Sequence, residues 1–398
     1  MDPRGTAPLL TRAVLATALV ALGCTPKVRC GDDEAPPPVE DGAAHLFQHD
    51  AIVDIDLFIE AKERALLADD VARGPDVPAD LVIGGERWGV GLRLKGDSSF
   101  RPIEAKAAFK IDVHEFHENA SFHGLRRLTL NNMIQDASML SESITYRLME
   151  ALELPAPRHG YACVAVNGEP YGLYGVVETL DEQFIERWWE DDGGNLYEGG
   201  YSADVFGDHP ELFEVEERGE PNDMSDLWEL AAAVDATDSD DWLTMLETWF
   251  DADALLTLWA AELYVANPDA YPTAGNNFLL YREPVDNRWW MIPWGTDQAL
   301  VVDLDVSDVP PGGGYLMQGC LESTDCRTRL EAKVLEVADV ADAIDLPGFA
   351  QAQRDRIRYT SRNDPRAEFN STQIWGAQRG VVRFVRSRSK EVRDQLER

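Results

Sequence analysis

Residues 264–297 constrain the chain more than any other stretch: an apolar helix-like run, a Pro-punctuated loop and two strand-like runs follow one another there. Asp269 sits in the loop Ala-Asn-Pro-Asp-Ala, Asn276 and Asn277 open the run Phe-Leu-Leu-Tyr-Arg, and Asp297 closes Trp-Trp-Met-Ile-Pro-Trp-Gly-Thr-Asp. A hairpin built this way brings short side chains together whose oxygens are the ligands that Mg²⁺ or Ca²⁺ prefers. Phosphoryl-transfer sites hold nucleotide metals with an Asp and an Asn drawn from separate loops. Asp and Asn also make turns without binding anything, and spacing alone leaves both readings open.

With 398 residues and 44% hydrophobic content, the chain can bury a large core in two or three domains at most. Lys and Arg number 36 against 72 Asp and Glu, a net charge of −36 that argues against a nucleic-acid partner and against anionic membrane surfaces. Phosphate chemistry on so acidic a chain has to depend on a divalent cation. The acidity serves solubility as well.

Arg4 and Arg12 precede the apolar run 13–22, which ends in Gly23-Cys24. The run is too short to span a bilayer and has the shape of a cleaved signal peptide. A small residue before Cys resembles the bacterial lipoprotein cleavage site, with Cys24 as the lipidated first residue and the sole membrane contact. The expected location is therefore the periplasm or cell surface. Residues 25–44, acidic and Pro-rich, read as a tether. Cys320 and Cys326 enclose a short loop that a disulfide can close, and Cys163 inside an apolar run reads as a buried thiol.

Alternation marks a strand over 51–57, helical spacing follows over 58–69, and 81–94 reads as a hairpin around Gly84-Gly85. Another strand is expected over 109–116, then a helix bearing Leu140, Ile144, Leu148 and Met149 with Ser138 or Ser141 as its cap. Asn167-Gly168 joins two strands in the strongest turn signal of the chain. Residues 226–266 read as helical, 300–326 as an irregular loop, and the remainder as Arg-rich helix ending in 381–396. The fold class is α+β, sheet-rich over about 45–200 and helical over about 201–398. Lys95 leads into the polar turn Gly96-Asp97-Ser98-Ser99, with Lys106 and Lys110 beyond it, an arrangement that can cover and neutralise phosphates. Glu178 emerges from an apolar run and needs a cationic partner.

In order along the chain, Leu-Arg-Leu-Lys-Gly-Asp-Ser-Ser at 92–99, Lys-Ala-Ala-Phe-Lys-Ile at 106–111, Leu-Asn-Asn-Met-Ile-Gln-Asp-Ala-Ser-Met-Leu at 130–140, Val-Asn-Gly-Glu-Pro-Tyr-Gly-Leu-Tyr at 166–174, Val-Glu-Thr-Leu-Asp at 177–181, Asn-Asn-Phe-Leu-Leu-Tyr-Arg at 276–282 and Ile-Pro-Trp-Gly-Thr-Asp at 292–297 resemble the CotH kinase family, over about residues 50–395. The resemblance implies a divergent protein-kinase-like two-lobe fold that binds ATP with Mg²⁺ (or Mn²⁺ or Ca²⁺) and phosphorylates Ser or Thr of exported proteins. On that likeness Lys106 or Lys110 meets the phosphates and pairs with Glu178, and Ser98 and Ser99 line the nucleotide. Asp269 serves as base or ligand, and Asn277 and Asp297 hold the metal. Asp136 also matches the family and equally suits a helix cap.

Gly295 stands where many relatives carry a first acid, so a catalytically silent scaffold lipoprotein is the alternative. A carboxylate-pair hydrolase using Glu178 and Asp269 is a third reading. The acids at 303–308 lack the Gly and terminal Glu of a calcium loop.

Overall fold

The computed structural model describes residues 42–69, 74–116, 120–199, 203–207, 210–217, 219, 223–309 and 311–398. The expected leader, Cys24 and most of the tether lie outside the described residues. None of the described helices is long and apolar enough to cross a membrane.

Alternating apolar residues close the N-terminal part into a barrel. Its elements are β1 (Ile52–Phe58), α1 (Ala61–Asp69), β2 (Val77–Ile83), β3 (Glu86–Lys95), β4 (Ala108–Asp112), β5 (Arg127–Asn131), α2 (Ser141–Ala151), β6 (His159–Val166) and β7 (Glu169–Glu178). The strand order is β1-β2-β3-β4-β5-β7-β6, and β1 closes the barrel by running parallel to β6. Gly84 and Gly85 join β2 to β3, and Asn167 and Gly168 join β6 to β7, all four at positive φ as tight hairpin turns require. Leu57, Leu92, Phe109, Ile111, Leu130 and Val176 fill the interior. Register then fixes the outer face, where Arg93 pairs with Lys110 and Lys110 with Thr129.

The C-terminal part is helical around one small sheet. After α3 (Glu182–Trp188) come β8 (Leu196–Gly199), β9 (Phe213–Glu217), α4 (Ser225–Asp235), α5 (Trp242–Trp249), α6 (Ala252–Tyr264), α7 (Tyr271–Ala274), β10 (Phe278–Glu283) and β11 (Arg288–Pro293). The chain ends in α8 (Tyr315–Glu322), α9 (Thr324–Ala343), α10 (Leu346–Arg362) and α11 (Ser371–Leu396). The sheet runs β11-β10-β8-β9, so β8, although it precedes residue 200, belongs with strands of the C-terminal part. Leu280, Trp289 and Met291 of this sheet pack into the helical core. Leu196, Leu279, Tyr281 and Ile292 pack with Phe184 and Ile185 of α3, and Trp188, Trp189, Trp290 and Trp294 lie partly buried against them.

The mixed α+β class, sheet-rich then helical, agrees with the sequence. Several local expectations need correction. The helical stretch 226–266 is three helices, because residues 236–241 and Phe250 interrupt it. Residues 300–326 contain α8 and the first turn of α9, tied by the Cys320–Cys326 disulfide. The strand expected over 109–116 ends at Asp112, whose carboxylate turns back onto the His114 amide. Cys163 is disulfide-bonded rather than a free thiol. Neither Ser138 nor Ser141 caps α2. Instead the Asp136 carboxylate accepts from the amides of Ser138, Leu140 and Ser141 at 2.7 to 2.9 Å, which ties up both oxygens.

The segment between α10 and α11 reaches back to the barrel. Asp364 accepts from Lys106 Nζ at 2.7 Å and from the Leu173 amide at 2.9 Å, and both charged side chains are sealed from solvent, at 1% and 0% exposure. Gly172, at φ +129, makes room, since a Cβ there would sit 2.2 Å from an Asp364 oxygen.

Candidate functional site

The floor begins where α6 ends. The C-terminal carbonyls of a helix want cationic donors, and the buried Arg388 of α11 supplies them to Tyr264 and Leu263 at 2.7 and 2.8 Å. The next turn is fixed by Asn267, whose side-chain oxygen accepts from the Asp269 amide at 3.2 Å. Three amides then converge on the Asp269 carboxylate: Asn276 on one oxygen at 3.1 Å, Asn277 and Gln298 on the other at 2.8 and 3.0 Å. Asn277 also donates to the Asp269 carbonyl at 2.8 Å. With Nδ2 spent this way, Asn277 keeps its oxygen for a cation.

The β10–β11 hairpin returns the chain to Gly295, which is left-handed at φ 57, and a short 3₁₀ turn then presents Asp297. Asp297 is 9% exposed. Burial, with Asp136 and Asp269 nearby, pushes its carboxyl up to about 6. Glu142, in the first turn of α2, joins it: burial and the Asp297 charge raise Glu142 to about 8, against the opposing pull of Lys95. Asn131 of β5 holds the Glu142 carboxyl at 2.8 Å. Lys95, at the end of β3, feels Glu142, Asp297 and Glu198 while its ammonium lies 5.3 Å over the Trp294 ring; burial lowers its proton affinity.

Lys95 runs into the turn foreseen as a phosphate cover. Gly96 is at φ +108, and a Cβ there would meet Ser99 Oγ at 2.7 Å. Asn132 pins the loop 96–107 by donating to the Ser99 carbonyl at 3.2 Å and the Lys106 carbonyl at 2.9 Å, and Gln135 reaches Ser98 Oγ at 3.4 Å. Further out, Lys110 opposes Glu198, which burial and Glu216 raise to about 7. A cavity of about 230 Å³ opens there between Arg93, Lys110 and Arg127 on one side and Thr179, Leu180 and Glu216 on the other.

Asp269, Asn277 and Asp297 are therefore assembled as the sequence suggested, with Ser98 and Ser99 in a pinned turn and Lys110 further along the cleft. Two expectations fail. Lys106 is buried against Asp364, so it faces no cleft. Glu178 pairs with no lysine, because Arg158 and Arg187 take its carboxylate at 2.8 and 2.6 Å. A hydrolytic pair of Glu178 with Asp269 is unsupported for the same reason. Lys95 and Glu142 were missed as site residues. Their sequence signals were a lysine directly before a Gly turn and a lone acid in the first turn of a helix otherwise buried.

Asp269, Asn277 and Asp297 offer hard oxygen donors of the kind a divalent cation takes, and the raised proton affinity of Asp297 and of Glu142 beside it is what such a cation would offset. Among the described residues, the acids that bring three oxygens within 4.8 Å of one another are, rather than those of the floor, Glu182, Glu186 and Asp192. They sit largely in solvent, and Glu182 pairs with Arg126. A pH prediction follows from the buried acids. Glu142, ordinarily near 4.5, and Asp297, ordinarily near 3.8, hold protons in the fold that they shed when unfolded. The cation-free protein should then lose stability as pH rises from about 4.5 to 8. The loss should reach at least about 1.4 kcal/mol, the energy of a tenfold change in proton affinity, and Glu142→Gln should flatten it. Thermal melts across that range check this, and a melt that does not fall with pH would contradict it.

Fold and site define a mixed α+β protein with a cluster of buried acids where a β-barrel meets a helical part. A sequence model described as CotH kinase protein matches residues 92–391, and the chain belongs to this CotH kinase family. It is similar to the inner spore coat protein H of Bacillus subtilis (strain 168), 22% identical over 250 residues that cover 61% of this chain and 67% of that protein.

Proposed function

We propose that the chain is a protein kinase of divergent two-lobe fold, dependent on ATP and a divalent cation, that transfers phosphate to Ser or Thr of exported proteins. The observation that carries this reading is the convergence of Asp269, Asn277 and Asp297 opposite Lys95 and Glu142. Kinase sites use a lysine from the sheet with a helix glutamate, a base Asp, and an Asn and Asp for metal. Here Asn131 of β5 bonds the helix glutamate, and the lysine comes from β3. The cation, when bound, neutralises the charge developing on the phosphoryl group.

Lys95 is placed to hold a phosphate oxygen, and the turn 96–99 to cover it with backbone amides. The three amides on Asp269 orient its carboxylate to accept the proton of an attacking hydroxyl. Positioning and electrostatics supply most of the acceleration in such chemistry. Likeness to a spore coat protein supports placement outside the cytoplasm, and the residues before 42 would then carry the export signal and the Cys24 anchor.

Calorimetric titration of ATP with Mg²⁺ or Mn²⁺ tests the site. Asp297→Ala and Lys95→Met should each weaken metal-dependent binding at least about a hundredfold, or about 2.7 kcal/mol. Lys110→Met should cost less. Unchanged metal dependence in Asp297→Ala would remove the basis of the reading and leave a non-catalytic scaffold.

A further inference from the structure

Close behind the acid floor, four polar atoms from four segments are sealed from solvent without a partner. They are Oε2 of Glu262 on α6, the hydroxyl of Tyr146 on α2, Oγ1 of Thr296 in the turn of Asp297, and Nδ2 of Asn267 in the turn of Asp269. None of these residues is more than 2% exposed. They are also neighbours. The Tyr146 hydroxyl faces Thr296, and it feels the carboxyls of Glu142, Asp297 and Glu262. The backbone amide of Asn267 donates to the main-chain carbonyl of Glu262 at 3.1 Å, which sets the Asn267 turn directly on the end of α6.

Bare buried polar atoms are among the heavier penalties a fold can carry, and native interiors hold few. Four of them, on segments that meet behind Asp297 and Asp269, are what internal water satisfies, since a water needs about two to four polar partners. Glu262 adds a second argument. Among the described residues it has no cation beside it, and burial is the one influence on its carboxyl, which is raised well above the ordinary range and so stays protonated and able to donate. Its neighbours on α6, Leu258, Trp259 and Leu263, are all buried in the apolar core, and an apolar residue at 262 would serve the helix as well.

We propose that internal water held by Glu262, Tyr146, Thr296 and Asn267 links α2 and α6 to the turns that carry Asp297 and Asp269, making Glu262 a positioning residue for the cation site. Its consequence for cation binding rests on the proposed function; the link itself does not. Backbone amide exchange in the cation-free protein reads the link, and Mn²⁺ titration reads its consequence. Glu262→Leu, which removes the polar group at similar volume, should speed exchange over 265–270 and 295–300 about tenfold, leave α11 unchanged, and weaken Mn²⁺ about tenfold. Glu262→Gln, which can still donate, should stay within about twofold of the parent in both. Wild-type exchange in both turns of Glu262→Leu would overturn the proposal, as would a Glu262→Gln protein as impaired as Glu262→Leu. Faster exchange in a protein whose parent binds no Mn²⁺ would support the link and count against the kinase reading alone. Should Glu262→Leu fail to fold, Tyr146→Phe, which deletes one hydroxyl, carries the same expectations.

Discussion

Asp364→Ala is expected to lower the free energy of unfolding by about 3–5 kcal/mol, the range for breaking a buried ion pair from one side. The substitution strands the Lys106 ammonium at 1% exposure, with the Tyr174 ring 5.4 Å away and the weaker pull of Glu368 as its remaining company. It also orphans the amides of Leu173 and Arg366, each bonded to the Asp364 carboxylate at 2.9 Å. Lys106→Met should cost less, because Asp364 would keep those two amide donors. Burial already lowers the proton affinity of Lys106, so the ammonium depends on its partner rather than on solvent. Urea unfolding of the two variants and the double variant gives the coupling. ATP affinity should change little in Lys106→Met. Near-normal stability together with lost ATP binding would mean that Lys106 faces the nucleotide after all, contrary to the geometry.

The same ion pair shows where the sequence stopped being legible. Lys106 and Lys110 sit on alternate strand-like positions and looked equivalent, but the partner of Lys106 lies 258 residues away in a loop between two helices. No local pattern announces such a pairing. Glu178 illustrates the converse: an acid leaving an apolar strand was rightly read as needing a cation, yet the partners are Arg158 and Arg187, supplied by the segment before β6 and by α3. The acids of residues 264–297 were legible because one hairpin places them, and a hairpin's register follows from its own residues. Lys95 and Glu142 come from β3 and α2 and meet only through closure of the barrel and packing of α2 against the Asp297 turn. The strand alternation and the Asn167-Gly168 turn were local and came through. The break of 226–266 into three helices was legible at its first interruption, where Thr-Asp-Ser-Asp-Asp at 237–241 is polar and acidic, and hidden at the second, where Phe250 continues the apolar run between α5 and α6.

Gly295→Asp, which supplies the acid that the family resemblance leads one to expect there, should weaken Mn²⁺ binding at least tenfold, about 1.4 kcal/mol, rather than improve it. Gly295 is left-handed at φ 57 and ψ 53. Asp tolerates that conformation better than most residues, so the backbone alone is a modest obstacle. Space is the larger one. A Cβ at 295 would lie 2.9 Å from both Cγ and Oδ1 of Asn277. Asn277 cannot step aside without giving up its bonds to the Asp269 carboxylate and carbonyl, both 2.8 Å. Asn277 is itself left-handed at φ 55, and its carbonyl accepts from the Trp294 amide at 3.1 Å, so main chain and side chain are held together. The glycine is thus the residue that lets Asn277 and Asp269 lock in their present arrangement, with Asp297 as the acid that remains beside them. Gly295→Ala should fail in the same way as Gly295→Asp, because the obstruction begins at Cβ and owes nothing to charge. Calorimetric Mn²⁺ titration of both variants beside Asp297→Ala decides the matter. Tighter binding in Gly295→Asp with unchanged binding in Gly295→Ala would show a vacated ligand position, and the chain would then be a kinase-like protein whose metal site had lapsed.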